Sequence, residues 1–197
     1  VLRAFTGDVL HDPRVTVIPY DGRLFLAHTD ERFDVIDLSL ADSVGLSNPG
    51  GFAIVEKYPY TREATLSYMQ ALAPGGVLAV TLWNKEEPPK SVLKLYATMA
   101  DAAEAFDPAT ARTALFAASS YLSTTTVLYK RGGFSPEEVE RLLTYTEEMS
   151  FDPVYAPGLA FETADLAAVL DEYRGSIFGD GTAPQEETGG EDYDPTT

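Results

Sequence analysis

Residues 33–45 read FDVIDLSLADSVG, and this stretch decides the fold. Its first part, residues 35–40, is short and apolar, which predicts a strand. Its second part predicts a loop that carries Ser39, Asp42 and Ser43. Because ligands in open α/β sheets bind just beyond the carboxyl ends of the strands, this loop is the first place to look for chemistry.

Strand and helix patterns alternate along the chain on both sides of this stretch. The predicted strands are 14–20, 35–40, 77–83, 114–121, 124–130 and 151–155, and the predicted helices are 23–29 and those that begin near Thr61, Pro88, Ser135 and Thr163. Such alternation predicts an α/β fold with a mostly parallel sheet and helices on both faces. The two closely spaced strands 114–121 and 124–130 predict an antiparallel hairpin at one edge.

The composition excludes several classes of function. The chain has no cysteine, which rules out disulfides, thiol nucleophiles and cysteine-based zinc sites. Its net charge of -17 argues against nucleic-acid binding and would attract a cationic ligand, although acidity also serves solubility alone. The apolar runs are much shorter than the ~20 residues that a membrane span needs.

Two regions are predicted along the chain. Residues 1–178 form the α/β domain, and residues 179–197 form an acidic tail or linker rich in glycine and proline. The apolar start at residues 1–5 resembles the last turn of a helix, so we expect a part of the fold upstream of it to be missing.

Five short motifs resemble the spermidine synthase (polyamine aminopropyltransferase) family in order and in approximate spacing. They are Asp12-Pro13-Arg14-Val15, Asp21-Gly22-Arg23, Phe33-Asp34-Val35-Ile36, Tyr60-Thr61-Arg62-Glu63 and Ala73-Pro74-Gly75-Gly76-Val77-Leu78. Together they cover residues 12–82, and the nearest resemblance is to the bacterial spermidine-synthase-like domains attached to membrane proteins with several spans.

The resemblance implies a methyltransferase-like, Rossmann-type sheet and an aminopropyl transferase of polyamine biosynthesis. It implies no tightly bound cofactor, but decarboxylated S-adenosylmethionine as co-substrate and a polyamine or other small amine as partner. In the family, the acidic residue of the Asp-Gly pair contacts adenine, a role that falls here on Asp21, with Gly22 allowing close approach. The alternative is that this pair only marks a turn.

The catalytic loop departs from the family pattern. The first aspartate of the family's loop, which helps to deprotonate the attacking amine, falls on Ser39, and a hydroxyl is too weakly basic for that role. Asp37 lies on the same face of the strand, ~7 Å back along it. Asp42 matches the second aspartate and could hold the amine. The catalytic candidates are therefore Asp42, Ser39 and Asp37.

A second departure concerns the nucleoside site. The family's Gly-rich loop should precede this segment, and residues 1–32 contain no such run. We therefore expect a fragment that lacks the N-terminal part and is inactive in isolation. Tyr58 and Tyr60 could line a pocket for an apolar or cationic amine chain, or could simply pin a long loop.

Other kinds of site have little support. The only histidines, His11 and His28, suit an exposed surface better than a catalytic triad, and no metal-ligand spacing occurs. Three functions therefore remain: an aminopropyl transferase-like domain, a non-catalytic ligand-sensing or interaction domain of a membrane protein, and a methyltransferase. We expect a cytoplasmic location, with attachment to membrane spans outside this chain and homodimer formation as further options.

Overall fold

The computed structural model describes residues 7–40, 58–84, 90–120 and 124–159. The chain divides after Gly158, and the elements that follow lie in the unit Val1–Gly158. The strands are β1 (Phe33–Ser39), β2 (Leu72–Trp83), β3 (Leu115–Ser120), β4 (Thr124–Lys130) and β5 (Asp152–Tyr155). The helices are α1 (Gly22–His28), α2 (Arg62–Ala71), α3 (Lys90–Phe106) and α4 (Pro136–Glu148). Short 3-10 turns occur at Val9–His11, Tyr58–Tyr60 and Ala111–Thr113.

The five strands form one sheet in the order β1-β2-β4-β3-β5. Strands β1 and β2 are parallel, whereas the β2-β4, β3-β4 and β3-β5 pairs are antiparallel. The predicted α/β class and the predicted hairpin are confirmed. In the described ranges the antiparallel part is larger than one hairpin, because β5 adds to β3 and β4 pairs directly with β2.

Helices cover both faces of the sheet, as predicted. Helices α1, α2 and α3 pack on one face, where Leu78 and Val80 of β2 join the main core. Helix α4 packs on the other face, where Phe116 of β3 meets Val139 in a smaller cluster. Residues that alternate along one strand therefore face different helices, as the two-residue period of a strand requires.

Strand β1, which lies within residues 33–45, shows this alternation. Ile36 is buried in the main core and Leu38 packs against it. Asp37 and Ser39 lie on the opposite face and are exposed. Val35 shares that face and is 64% exposed. The carboxyl end of β1 therefore presents its polar side chains away from helices α1 to α3.

Side-chain caps explain where three helices begin. The Asp21 carboxylate and the Thr61 hydroxyl each accept a hydrogen bond from the backbone N–H three residues later, at 3.0 and 3.2 Å. The predicted capping box of α4 is confirmed, since Ser135 Oγ accepts from Glu138 N at 3.3 Å and Glu138 Oε2 accepts from Ser135 N at 2.8 Å.

The predicted strand at residues 14–20 is wrong. This segment lies outside the five-stranded sheet, and its branched residues Val15, Val17 and Ile18 are exposed. β-branched composition indicates a tendency to be extended, but a strand also needs a partner for its backbone N–H and C=O groups. The sequence pattern alone does not reveal whether that partner is present.

The start of β2 differs from the sequence pattern, and the last predicted segments fall outside the described residues. Strand β2 begins at Leu72, so the Pro-Gly-Gly run at residues 74–76 lies inside the strand and not ahead of it. The predicted helix after Thr163 and the acidic tail at 179–197 lie outside the described residues. The boundary at residue 178 therefore stays a prediction.

Gly76 allows β2 to approach β1. A Cβ atom at this position would lie 2.8 Å from the backbone oxygen of Phe33 and 3.0 Å from that of Ala73. Since both obstacles are backbone atoms, Gly76→Ala must shift a strand. We expect this change to lower the free energy of unfolding by about 1–3 kcal/mol, measured by urea denaturation.

Gly22→Ala is the matched control, because a Cβ there would meet nothing within 4 Å. Gly22 lies at the start of α1, where alanine reduces the entropy of the unfolded chain. We expect this variant to be as stable as the parent or slightly more stable. Equal urea midpoints for the two alanine variants would contradict the close approach at Gly76.

The Glu138 carboxylate links α4 to the sheet. The Lys130 ammonium donates to it from the end of β4, and with the Ser135 N–H this holds the pKa of Glu138 below its usual value. A lowered pKa adds stability above the unfolded pKa of about 4.3, and that stability is lost as the pH falls through the folded value.

Glu138→Gln should therefore lower the urea midpoint at pH 7, with a difference from the parent that shrinks below about pH 4. Glu140→Gln removes the same charge from an exposed position on α4 and serves as the control. If both variants lose the same stability at every pH, the ion pair with Lys130 contributes nothing to folding.

Candidate functional site

The β1-α2-β2 unit determines which residues meet at the carboxyl end of β1. Because β1 and β2 are parallel, α2 must return the chain to the start of the sheet, so α2 begins at the carboxyl end of β1. The Tyr58–Tyr60 turn immediately precedes α2 and contacts it. The predicted residues Tyr58 and Tyr60 therefore lie at the same edge as Ser39.

Asp21 and Gly22 form the start of α1, which packs against α2. Asp21 Oδ1 accepts a hydrogen bond from Leu24 N, and the Asp21 side chain remains 55% exposed. The space next to Gly22 is open, since a Cβ there would meet no atom within 4 Å. The carboxylate thus keeps its second oxygen available beside an open stretch of backbone.

Arg23 connects this pair to the tyrosine turn. Its guanidinium carbon lies 5.1 Å from the centre of the Tyr58 ring, a cation–π distance. Its Nε lies 3.9 Å from Asp21 Oδ1, within range of an ion pair. The structure therefore brings together Asp21, Gly22 and Tyr58, which the sequence had singled out separately.

Two more tyrosines continue this group into the core. Tyr60 is half-buried and packs against the main core, and Tyr68 of α2 is only 2% exposed. Burial raises the pKa of Tyr68 to about 12, the Arg23 charge lowers it, and the Asp21 charge raises it. The Tyr68 hydroxyl therefore lies within electrostatic range of both charged groups.

Asp37 and Ser39 form a second group at the same end of β1. Ser39 Oγ donates a hydrogen bond of 2.7 Å to Asp37 Oδ1. The sequence places Asp37 one side-chain period behind Ser39, and the structure shows that the two side chains nevertheless meet. The Asp37 carboxylate is consequently one hydrogen bond from the position that the resemblance gives to the catalytic base.

Hydroxyl groups extend this second group across the sheet. In the register of β1 and β2, Ser39 is opposite Thr81, and Thr81 is opposite Thr126 of β4. The Thr81 and Thr126 hydroxyls are 2.8 Å apart and hydrogen-bonded. The face of the sheet opposite the main core therefore carries a row of hydroxyls at this end. The sequence analysis missed this row, since it depends on strand register.

The third catalytic candidate, Asp42, lies outside the described residues. The last described residue before it, Leu40, still belongs to the ladder, because its N–H donates to Thr81 O at 3.0 Å. Leu40 also has a φ of 51°, which is uncommon for a residue with a side chain. The backbone thus leaves the strand direction at Leu40, directly after Ser39.

Arg23 and Tyr68 are the site residues that sequence reasoning missed. Arg23 belongs to the Asp21-Gly22-Arg23 motif, but the resemblance implies a nucleoside-binding role only for Asp21 and Gly22. Tyr68 gave only the signal of a core residue on the apolar face of a helix. Their proximity arises from the packing of α1 on α2, which no spacing in the sequence specifies.

Other candidate features carry no chemistry here. His11 and His28 are exposed; His11 pairs with Asp8 at 2.7 Å and His28 with Leu24 O at 2.8 Å. Within the described ranges, no group of three or more ligating side chains is arranged for a metal ion. Of the helices described above, none combines the length and apolar character that crossing a bilayer requires.

Comparisons with known proteins give neighbours at low similarity. No family model matches the chain. The spermidine synthase from Thermotoga maritima is 15% identical with a TM-score of 0.41, over 90% of this chain and 55% of that protein. A spermidine synthase in complex with the transition state analogue AdoDATO is 14% identical with a TM-score of 0.40, over 89% of this chain and 54% of that protein. This chain thus spans about half the length of either neighbour. At these values, neither structure shows what this chain binds.

The raised pKa of Tyr68 gives a test of this group. Between pH 10 and 12 the unfolded state loses the Tyr68 proton before the folded state does, so stability falls as the pH rises. Tyr68→Phe should remove about 1 kcal/mol of the stability loss between pH 9 and 11, measured by urea denaturation. Tyr145→Phe, at an exposed position, is the control. If Tyr68→Phe loses as much stability as the parent between pH 9 and 11, the pKa of Tyr68 is not raised by burial.

Proposed function

We propose that this chain is a nucleoside-binding domain of the spermidine synthase type, with decarboxylated S-adenosylmethionine as co-substrate and a polyamine as acceptor. The observation that carries the proposal is the contact that Arg23 makes between Asp21 and Tyr58. The motif resemblance assigns Asp21 to adenine. Asp21, Arg23 and Tyr58, called the Asp21 group below, also belong to the carboxyl end of β1. This is the edge of the sheet where α/β proteins bind ligands.

The geometry around Asp21 suits an adenine ring. Adenine offers an exocyclic amine, which is a neutral hydrogen-bond donor, and Asp21 has a carboxylate oxygen left to accept from it. The open space at Gly22 leaves room for the ring beside the backbone. Both features support the role that the resemblance implies for this pair.

The Asp37–Ser39 group supports a role in proton transfer. In aminopropyl transfer, the amine nitrogen forms a bond to the propyl carbon and the carbon–sulfur bond of decarboxylated S-adenosylmethionine breaks. Methylthioadenosine leaves with the electron pair of that bond, and the nitrogen gives up a proton. Ser39 is a hydrogen-bond donor in this structure, so we assign the proton to the Asp37 carboxylate. Asp42 keeps its predicted role of holding the amine.

A non-catalytic role is the second candidate, and the same hydrogen bond favours it. The position of the family's base holds a serine whose proton already occupies one oxygen of Asp37. A domain that senses a nucleoside or contacts a partner would keep the Asp21 group and lose catalysis at Ser39. The two candidates share nucleoside binding and differ in the requirement for Asp37.

Asp21→Asn tests nucleoside binding with little damage to the fold. Asparagine can still cap α1 through its oxygen, but its amide replaces the second acceptor with a donor that opposes the adenine amine. We expect calorimetric titration of the 197-residue chain with methylthioadenosine to show binding that Asp21→Asn weakens about tenfold.

Asp30→Asn is the matched control, because it removes the same charge from an exposed site beyond the end of α1. Methylthioadenosine that fails to bind the parent, or that binds both variants equally, would contradict the proposal. Tighter binding of S-adenosylmethionine than of its decarboxylated form would favour a methyltransferase. Turnover of putrescine that Asp37→Asn abolishes would overturn the expectation that this chain is inactive in isolation and would favour the enzyme over the non-catalytic domain.

A further inference from the structure

Arg23 lies between the two parts of the proposed nucleoside site. Its guanidinium group covers one face of the Tyr58 ring at 5.1 Å, and its Nε is 3.9 Å from Asp21 Oδ1. The Arg23 side chain is 31% exposed, and its Nε is buried without a hydrogen-bond partner. Arg23 is therefore held in place by the carboxylate and the ring and not by a hydrogen bond at Nε.

The position of Arg23 changes what Asp21 can attract. An isolated carboxylate attracts ammonium groups, whereas a guanidinium beside a carboxylate offsets part of that attraction. The compensated Asp21 can still accept a hydrogen bond, because its second oxygen is engaged neither by Arg23 Nε nor by Leu24 N. A neutral N–H donor loses little from this arrangement, but a cation is attracted less strongly to Asp21 and meets the positive charge of Arg23.

The Tyr58 ring gives the same preference. An ammonium group could bind on the ring face by a cation–π contact, and the guanidinium of Arg23 already occupies one such face. From the sequence, Tyr58 could line a pocket for an apolar or cationic amine chain or could pin a long loop. In the structure, one face of the Tyr58 ring is covered by the guanidinium group of Arg23.

The charge of the whole chain explains why such compensation matters. With a net charge of -17, the chain attracts polyamines to exposed carboxylates in general. A carboxylate that must select a neutral base over a polyamine needs a positive charge of its own nearby. Arg23 supplies that charge within 4 Å of Asp21.

We propose that Arg23 is a specificity-determining residue that makes Asp21 select neutral N–H donors, such as the exocyclic amine of a nucleobase, over ammonium groups. The proposal rests on Asp21 being a ligand-binding residue, as in the proposed function. It assigns the cationic amine to the Asp37 and Ser39 end of the site, and the neutral base to the Asp21 end.

The test compares two probes on the 197-residue chain, spermidine and methylthioadenosine, by calorimetric titration. Arg23→Gln should bind spermidine about threefold to fivefold more tightly than the parent, and adding Asp21→Asn should reverse the gain. Arg23→Lys keeps the positive charge and should behave like the parent. Thermal unfolding of each variant checks that it is folded.

Arg14→Gln is the matched control. Arg14 forms the same kind of Asp-x-Arg pair with Asp12 at 2.8 Å, on an exposed part of the chain, and its removal changes the net charge equally. We expect this variant to change spermidine binding by less than about twofold. The ratio of methylthioadenosine affinity to spermidine affinity should fall only when Arg23 loses its charge.

The outcomes separate this inference from the proposed function. If Arg23→Gln gains no more affinity for spermidine than Arg14→Gln, the selectivity role of Arg23 is overturned, whatever the nucleoside does. If methylthioadenosine fails to bind the parent while the spermidine gain depends on Asp21, the nucleoside function fails and the charge compensation by Arg23 stands. A gain that survives Asp21→Asn would overturn the inference, since the amine would then bind elsewhere.

Discussion

The parallel pairing of β1 with β2 is the constraint on which the site depends. It places Ser39 opposite Thr81 and Asp37 opposite Ala79. It also requires α2 to begin at the carboxyl end of β1, which brings Tyr58 there and, through α1, Asp21. Gly76 allows this pairing because it lets β2 approach the backbone of Phe33. Residues from three separate segments are therefore directed to one end of the sheet by the pairing of these two strands.

The same pairing separates the two groups of the site chemically. Ile36 and Leu38 face the main core, so Asp37 and Ser39 must face the other way. A slip of one residue would bury both polar side chains and expose the apolar pair. The Asp21 group instead belongs to the side of the sheet that carries α1 and α2. The proposed nucleobase of the co-substrate and the proposed amine acceptor are thus assigned to residues on different sides of the sheet.

Periodicity and capping residues predicted the elements that depend only on nearby residues in the sequence. The capping box at Ser135, the cap at Thr61 and the strand around Ile36 all depend on neighbours a few residues away, and the structure confirms them. Residues 14–20 failed because a strand is defined by a partner and not by its composition. The contact of Arg23 with Tyr58 was also beyond the sequence, because it joins segments 35 residues apart through helix packing.

Two site residues have partners that their residue type alone does not specify. Ser39 read as the loss of a base, yet its hydroxyl donates to Asp37, so an acceptor remains at that strand end. Tyr58 could line a pocket for an amine chain or pin a loop, and in the structure Arg23 covers one face of its ring. In both cases the structure adds the hydrogen-bonding or electrostatic partner of the side chain. Since a carboxylate's preference for a cation or a neutral donor depends on the nearest charge, the specificity of Asp21 is a property of the Asp21–Arg23 pair.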